Sequence, residues 1–135
     1  VGYGTVIASL AAFVVLRDAV VDISPGNPLI SEALAVNILA GVTGSASGGM
    51  SIALEALGET YLEMANAAGI SPELLHRVAA LSSGGFDVLP HNGAVITLLA
   101  ICGLTHVKSY FDIFMVAVVG PLTGLAAVLV VSSVL

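Results

Sequence analysis

Thr43-Gly44-Ser45-Ala46-Ser47-Gly48-Gly49 interrupts an apolar run that begins at Leu29 and continues to Leu57. Three glycines and three hydroxyl residues in seven positions do not sustain a helix. Glycine lowers helix stability and frees the backbone for other conformations. The flanks, Leu34 to Val42 and Met50 to Glu55, read as two half-helices around an unwound tip. About forty residues later the pattern recurs. Leu74 to Leu81 is helical in character, Ser82-Ser83-Gly84-Gly85-Phe86-Asp87-Val88-Leu89-Pro90-His91-Asn92-Gly93 breaks it, and Ala94 to Leu104 resumes it. Pro90 removes a backbone donor and pushes Leu89 towards extended geometry.

What kind of protein carries two such breaks follows from composition. Of 135 residues, 58% are apolar and only 9% are charged, with a mean hydropathy of +1.10. An ordinary soluble domain carries roughly 25% charged residues. Too few polar groups are present to coat a water-soluble globule, whereas a bilayer removes that requirement. The expected fold is all-α, with polytopic transmembrane helices of which two are discontinuous, either broken or re-entrant. The net charge of −6 and the scattered Arg17, Arg77 and Lys108 exclude a nucleic-acid surface. Cys102 stands alone in an apolar run, so no intrachain disulfide forms; it reads as a small buried hydrophobe.

The remaining elements are read outward from the breaks. Tyr3 to Leu16, ending at Arg17-Asp18, is the exit half of a spanning helix, and Ser24-Pro25-Gly26-Asn27-Pro28 is a turn. The chain opens in apolar sequence without a basic leader, which reads as a piece of a longer protein forming one transmembrane region over 1–135. Gly58 to Ile70 fits an amphipathic interfacial helix, with Glu55, Glu59 and Glu63 on one solvated face. Ser71-Pro72 restarts a helix, Ser71 as N-cap and Pro72 at the first position. Thr105 to Ser109 is a polar turn with His106 and Lys108 at headgroup level. A long span from about Tyr110 to Leu135 is expected to kink at Gly120-Pro121. Arg17 and Lys108 on one face against Arg77 on the other scarcely fixes the orientation.

Unwound backbone is tolerated at membrane depth only where it is buried in protein or lines a watery cavity. In transporters such breaks bind cargo, because N–H groups at half-helix N-termini meet anions and free carbonyls meet the coupling cation. The candidate substrate-binding residues are therefore Gly44, Ser45, Ser47, Gly48, Gly49, His91, Asn92 and Gly93. The alternative is that the glycines only let helices pack closely. Asp87 and His91, four apart, are candidates for the coupling proton, since ionisable groups at depth tend to be functional. Against that, Asp87 and Asn92 would also cap broken helix ends. Arg77 could attract an anion. A rival reading is an intramembrane serine protease with a Ser47/His91 dyad. The nucleophile turns need glycine two residues before the serine. Ser45 precedes Ser47 there and Thr43 precedes Ser45, so the pattern fails.

The run GVTGSASGGMS (41–51) resembles the glycine-serine break of the gluconate permease family. LLHRVAALSSGGFDVLPHNGAVIT (74–97) and GLTHVKSYFDIF (103–114) look most like its 3-hydroxybutyrate permease branch. The resemblance covers most of the chain from Asn37 onwards. Gluconate-type members carry Ser-His-Val-Asn-Asp near the second break, where this chain has Asp87-Val-Leu-Pro-His-Asn-Gly, which favours a short hydroxy acid over a sugar acid. The resemblance implies proton symport of a small organic acid across a bacterial inner membrane, with no reaction catalysed and no cofactor or metal. It also implies a longer parent whose remaining half completes the translocation core, and it is compatible with a homo-oligomer.

Overall fold

The computed structural model describes residues 27–134, with isolated positions before them. Arg17, Ser24 to Gly26 and half of the expected exit half-helix lie outside the described residues. Every regular element among those described is helical. In chain order they are α1 (Pro28–Thr43), α2 (Ala46–Ala67), α3 (Pro72–Ser83), α4 (Gly93–Ile101) and α5 (His106–Phe114). A π-helical turn, Met115–Val119, and α6 (Gly120–Val134) complete the series.

α1 starts where the sequence supplies a cap. The Asn27 side chain accepts from the N–H groups of Leu29 and Ile30, and Pro28 takes the first position, where its missing donor costs nothing. The helix is largely apolar and buried on most of its circumference, as a central helix must be. It ends at Gly44, whose φ of 61° is left-handed and suits glycine, with the Gly44 N–H returned to the Ala40 carbonyl.

α2 then folds back antiparallel along α1, so that Gly49 meets Ala40 near the tip and Tyr61 meets Ser31 at the far end. A Cβ on Gly49 would lie 2.3 Å from the Ala40 nitrogen, so the two backbones approach at a distance only glycine permits. Leu57, Tyr61 and Ala65 form the buried stripe of α2, while Glu55, Glu59 and Glu63 form the exposed one. The four-residue spacing of both stripes follows from 3.6 residues per turn.

α3 packs against both members of this hairpin through Leu75, Val78 and Ala79, and α6 lies against α3 through Leu125. Its start is as read from sequence: the Ser71 hydroxyl accepts from the Leu74 N–H, with Pro72 at the first position. His106–Ser133 forms one continuous helix of 28 residues that is long and apolar enough to cross a membrane. Only 11% of its most apolar stretch is buried within this chain.

Several expected boundaries move. The first break is two residues long, Gly44 and Ser45, because Ser47, Gly48 and Gly49 already form the first turn of α2. No interfacial helix starts at Gly58, since α2 runs through it as one 22-residue helix. Its many strong helix formers outweigh the cost of one glycine. Thr105 to Ser109 is not a turn: Thr105 precedes α5, and His106 to Ser109 are its first helical turn. The disturbance expected at Pro121 appears as the π-helical turn immediately before it, in which the Gly120 N–H reaches back to the Met115 carbonyl. Pro121 has no N–H to continue the α ladder, so the wider turn takes up the mismatch. Cys102 is exposed rather than buried, because it is the C-cap of the short α4.

Candidate functional site: two breaks joined by Asn92

The two glycine-rich breaks, far apart in sequence, touch in space. Asn92 joins them. Its side-chain nitrogen donates to the Gly44 carbonyl at 2.6 Å and also to the Asp87 carbonyl. Its side-chain oxygen accepts from the N–H groups of Ala94 and Val95, at 2.6 and 3.3 Å, and so caps α4. One buried side chain, 6% exposed, thereby closes the second loop on itself, starts the next helix and holds the first tip.

His91 adds a second tie. Its Nε2 lies 3.0 Å from the Gly41 carbonyl in the last turn of α1. A carbonyl only accepts, so this contact requires a ring hydrogen on Nε2. The bond also satisfies one of the carbonyls that a helix C-terminus leaves without an intrahelical donor. Gly41 and Gly85 make the approach possible. A Cβ on Gly41 would stand 3.0 Å from the Phe86 Cβ, and one on Gly85 would stand 2.3 Å from the Asn37 Oδ1.

At the first tip the hydroxyls act as caps. The Ser45 Oγ accepts from the Gly48 N–H at 3.1 Å, and the Ser45 carbonyl accepts from the Gly49 N–H at 2.8 Å. The Thr43 Oγ1 donates back to the Leu39 carbonyl at 2.7 Å. The donors of Gly48 and Gly49 are therefore engaged within the helix start. The first-turn N–H groups of Ala46 and Ser47 have no carbonyl four residues back within α2, and Gly93 stands likewise at the start of α4. Ser47 itself is exposed. Asp87 and His91 do not face one another across a helical turn, because residues 84–92 form successive turns rather than helix. Asp87 enters this hub through its backbone carbonyl.

The loop is braced from the far side by the start of α5. The His106 Nε2 contacts the Pro90 carbonyl at 3.1 Å, and the Tyr110 hydroxyl donates to the Val88 carbonyl at 3.3 Å. His106 thus ties the start of α5 to the second break. No group of three or more His, Cys, Asp or Glu side chains among the described residues is arranged to hold a metal ion.

Two features lie outside the expected site residues. Glu32 and Asn37, both inside the apolar run of α1, are buried at 1% and 4% exposure. Both Glu32 carboxyl oxygens and the Asn37 Oδ1 have no hydrogen-bond partner among the described residues. The signal was available, since polar side chains inside an apolar helix are costly and tend to be functional. Separately, a cavity of about 600 Å³ lies between the start of α3 and α6, bordered by Ser71, Leu74, Arg77 and Val128. It sits at the opposite end of α3 from the joined breaks.

No family profile and no solved structure matches the chain. Over 118 residues it is 51% identical to a protein of Bacillus subtilis (strain 168) named an uncharacterized transporter, YxjC. The match covers 87% of this chain and 25% of that relative, so the chain spans about a quarter of its length. The relative is named a transporter without a stated cargo.

Proposed function

We propose that this chain is part of the translocation core of a secondary transporter, and that the joined breaks form one wall of its substrate site. The observation that carries the reading is the Asn92 bridge to Gly44. It gathers two helix N-termini, α2 and α4, at one irregular place in an otherwise apolar assembly. Helix N-termini present N–H groups and the positive end of the helix dipole, which suits a carboxylate without requiring an arginine. The 51% identical relative named a transporter supports the same class.

The cargo we propose is a small organic acid, a short hydroxy-carboxylate such as 3-hydroxybutyrate, taken up by proton symport across a bacterial inner membrane. That choice rests on the resemblance to the gluconate permease family. Gly44, Ser45, Ser47, Gly48, Gly49, His91, Asn92 and Gly93 would surround the acid, with Asp87 and His91 as proton carriers at this end. The remainder of the parent protein would supply the facing wall.

The test is uptake of labelled 3-hydroxybutyrate, against gluconate, by vesicles holding the full-length protein with and without a pH gradient. Gradient-dependent uptake of the hydroxy acid is expected. Asp87→Asn is expected to abolish that dependence while leaving membrane insertion intact. Unchanged coupling in this variant would remove Asp87 from the role, and uptake of neither acid would sink the cargo assignment.

A further inference from the structure

Glu32 occupies the second turn of α1, and its surroundings are unusual for a carboxylate. It is 1% exposed, and neither oxygen has a hydrogen-bond partner among the described residues. Near enough on α2 for the carboxyl to act on it electrostatically is the buried Tyr61 phenol, whose oxygen lies 3.2 Å from the Ser31 Oγ. α3 turns Leu75, Val78, Ala79 and Ser82 inward, while its charged residues, Glu73 and Arg77, and His76 are exposed. The acidic residues of α2, Glu55, Glu59 and Glu63, point outward. α6 adds Leu125 and brings no ionisable group to the contact. Arg77 and Lys108, the cations among the described residues, are both exposed.

An ionised carboxylate sealed in this way, with neither a counter-charge nor donors among the described residues, would cost several kcal/mol even after relaxation. The neutral acid avoids most of that cost. Since the oxygens are already covered, no further segment of a parent protein reaches them without displacing the present packing. Glu32 lies twelve residues from Gly44, about 18 Å along the axis at 1.5 Å per residue. It is therefore remote from the joined breaks and distinct from Asp87 and His91.

We propose that Glu32 is a proton-binding site. In the packed arrangement one carboxyl oxygen holds the proton through an O–H bond. That bond breaks, and the proton leaves to water, only when α1 and α2 separate at this end and water reaches the carboxylate left behind. A change in Glu32 protonation would thus bias the α1–α2 hairpin whose tip lies at the breaks. The consequence for coupling rests on the transport reading above; the proton binding itself does not.

Two measurements on the full-length protein in lipid decide it. First, infrared difference spectra of wild type against Glu32→Gln, at neutral pH, should contain a protonated-carboxyl stretch that shifts in deuterium oxide. Absence of that band, meaning an ionised Glu32, would overturn the proposal. So would a band that appears only after sodium and potassium are removed, because a metal cation would then be the occupant. Second, under a gradient of one pH unit, Glu32→Gln should lose about tenfold in accumulation of labelled 3-hydroxybutyrate, the whole driving force of one proton. It should keep exchange of internal for external acid, and Glu32→Asp should recover part of the accumulation. Full gradient-driven accumulation in Glu32→Gln would remove the coupling role. If the infrared band is present while wild type carries no acid, the cargo assignment fails and the proton site stands.

Discussion

The Asn92 side chain donates to the Gly44 carbonyl at 2.6 Å, across 48 residues of sequence, and this bond joins the two breaks. The same side chain caps α4 through its oxygen, so its two ends have separable roles. Removing both should be costly. Asn92→Ala loses a cap worth about 1 kcal/mol and leaves the Gly44 carbonyl without its donor, a further penalty of about 1–3 kcal/mol. Thermal unfolding of the detergent-purified parent protein should show the loss. Asn92→Asp keeps the cap acceptor but cannot donate to Gly44. It is expected to recover about 1 kcal/mol of the stability while leaving uptake as impaired as in Asn92→Ala. Equal stability of the two variants would mean that capping contributes nothing here.

The glycines divide into those the packing requires and those it does not. At Gly49 an added methyl would meet the Ala40 backbone at 2.3 Å, and backbone cannot swing aside as a side-chain end does. Gly49→Ala should force α1 and α2 apart, destabilise the protein by about 3 kcal/mol or more, and reduce the yield of folded protein. At Gly58, in the middle of α2, the same methyl would only touch the Leu54 Cβ at 4.0 Å. Gly58→Ala should stabilise by about 0.5–1 kcal/mol, since alanine is the better helix former and restricts the unfolded chain. Denaturant midpoints for the two variants should therefore move in opposite directions.

This contrast also marks how much the sequence could tell. The all-helical class, the Ser71-Pro72 start, the exposed Glu55, Glu59 and Glu63 face and the disturbance near Pro121 each follow from local chemistry, and each was legible. The Gly44 turn was legible as a break but not in its extent. Serine at 45 and glycine at 48 look like flexible loop, whereas a capping serine turns them into a helix start. That Asn92 meets Gly44 is a tertiary fact, and no periodicity encodes it. Glu32 is hard to read from sequence because one carboxylate hardly alters the apolar average of α1. Its meaning comes from what surrounds it, which only the packed α2 and α3 reveal.

The Ser31–Tyr61 contact fixes the end of the hairpin remote from the tip, with the two oxygens 3.2 Å apart and both residues buried. Tyr61→Phe keeps the ring, which belongs to the main core cluster, and removes only the hydroxyl. A loss of about 1 kcal/mol is expected, the usual net worth of one intramolecular hydrogen bond. Tyr61→Ala should lose about 3–5 kcal/mol through the cavity it opens. If the phenylalanine variant were as unstable as the alanine one, the hydroxyl and not the ring would be organising this end. Unfolding curves of the pair decide between them.

The two tip serines give the sharpest separation of readings. The Ser45 hydroxyl accepts from the Gly48 N–H and caps α2, whereas the Ser47 side chain is exposed in the first turn. Ser45→Ala should cost about 1 kcal/mol of stability by stranding that N–H. Ser47→Ala should change stability by less than about 0.5 kcal/mol, as surface substitutions usually do. A serine protease using Ser47 and His91 would lose essentially all activity in Ser47→Ala, since the nucleophile is gone. A site that holds an acid with the backbone N–H groups of Ala46 and Ser47 loses no donor by this change, so uptake should fall no more than a few-fold. His91 is also committed elsewhere, with its Nε2 against the Gly41 carbonyl, so a dyad would have to use Nδ1. Uptake by the Ser47→Ala parent protein, measured beside its stability, distinguishes these outcomes: retained uptake fits a backbone-donor site, and complete loss with an intact fold would restore the serine to a chemical role.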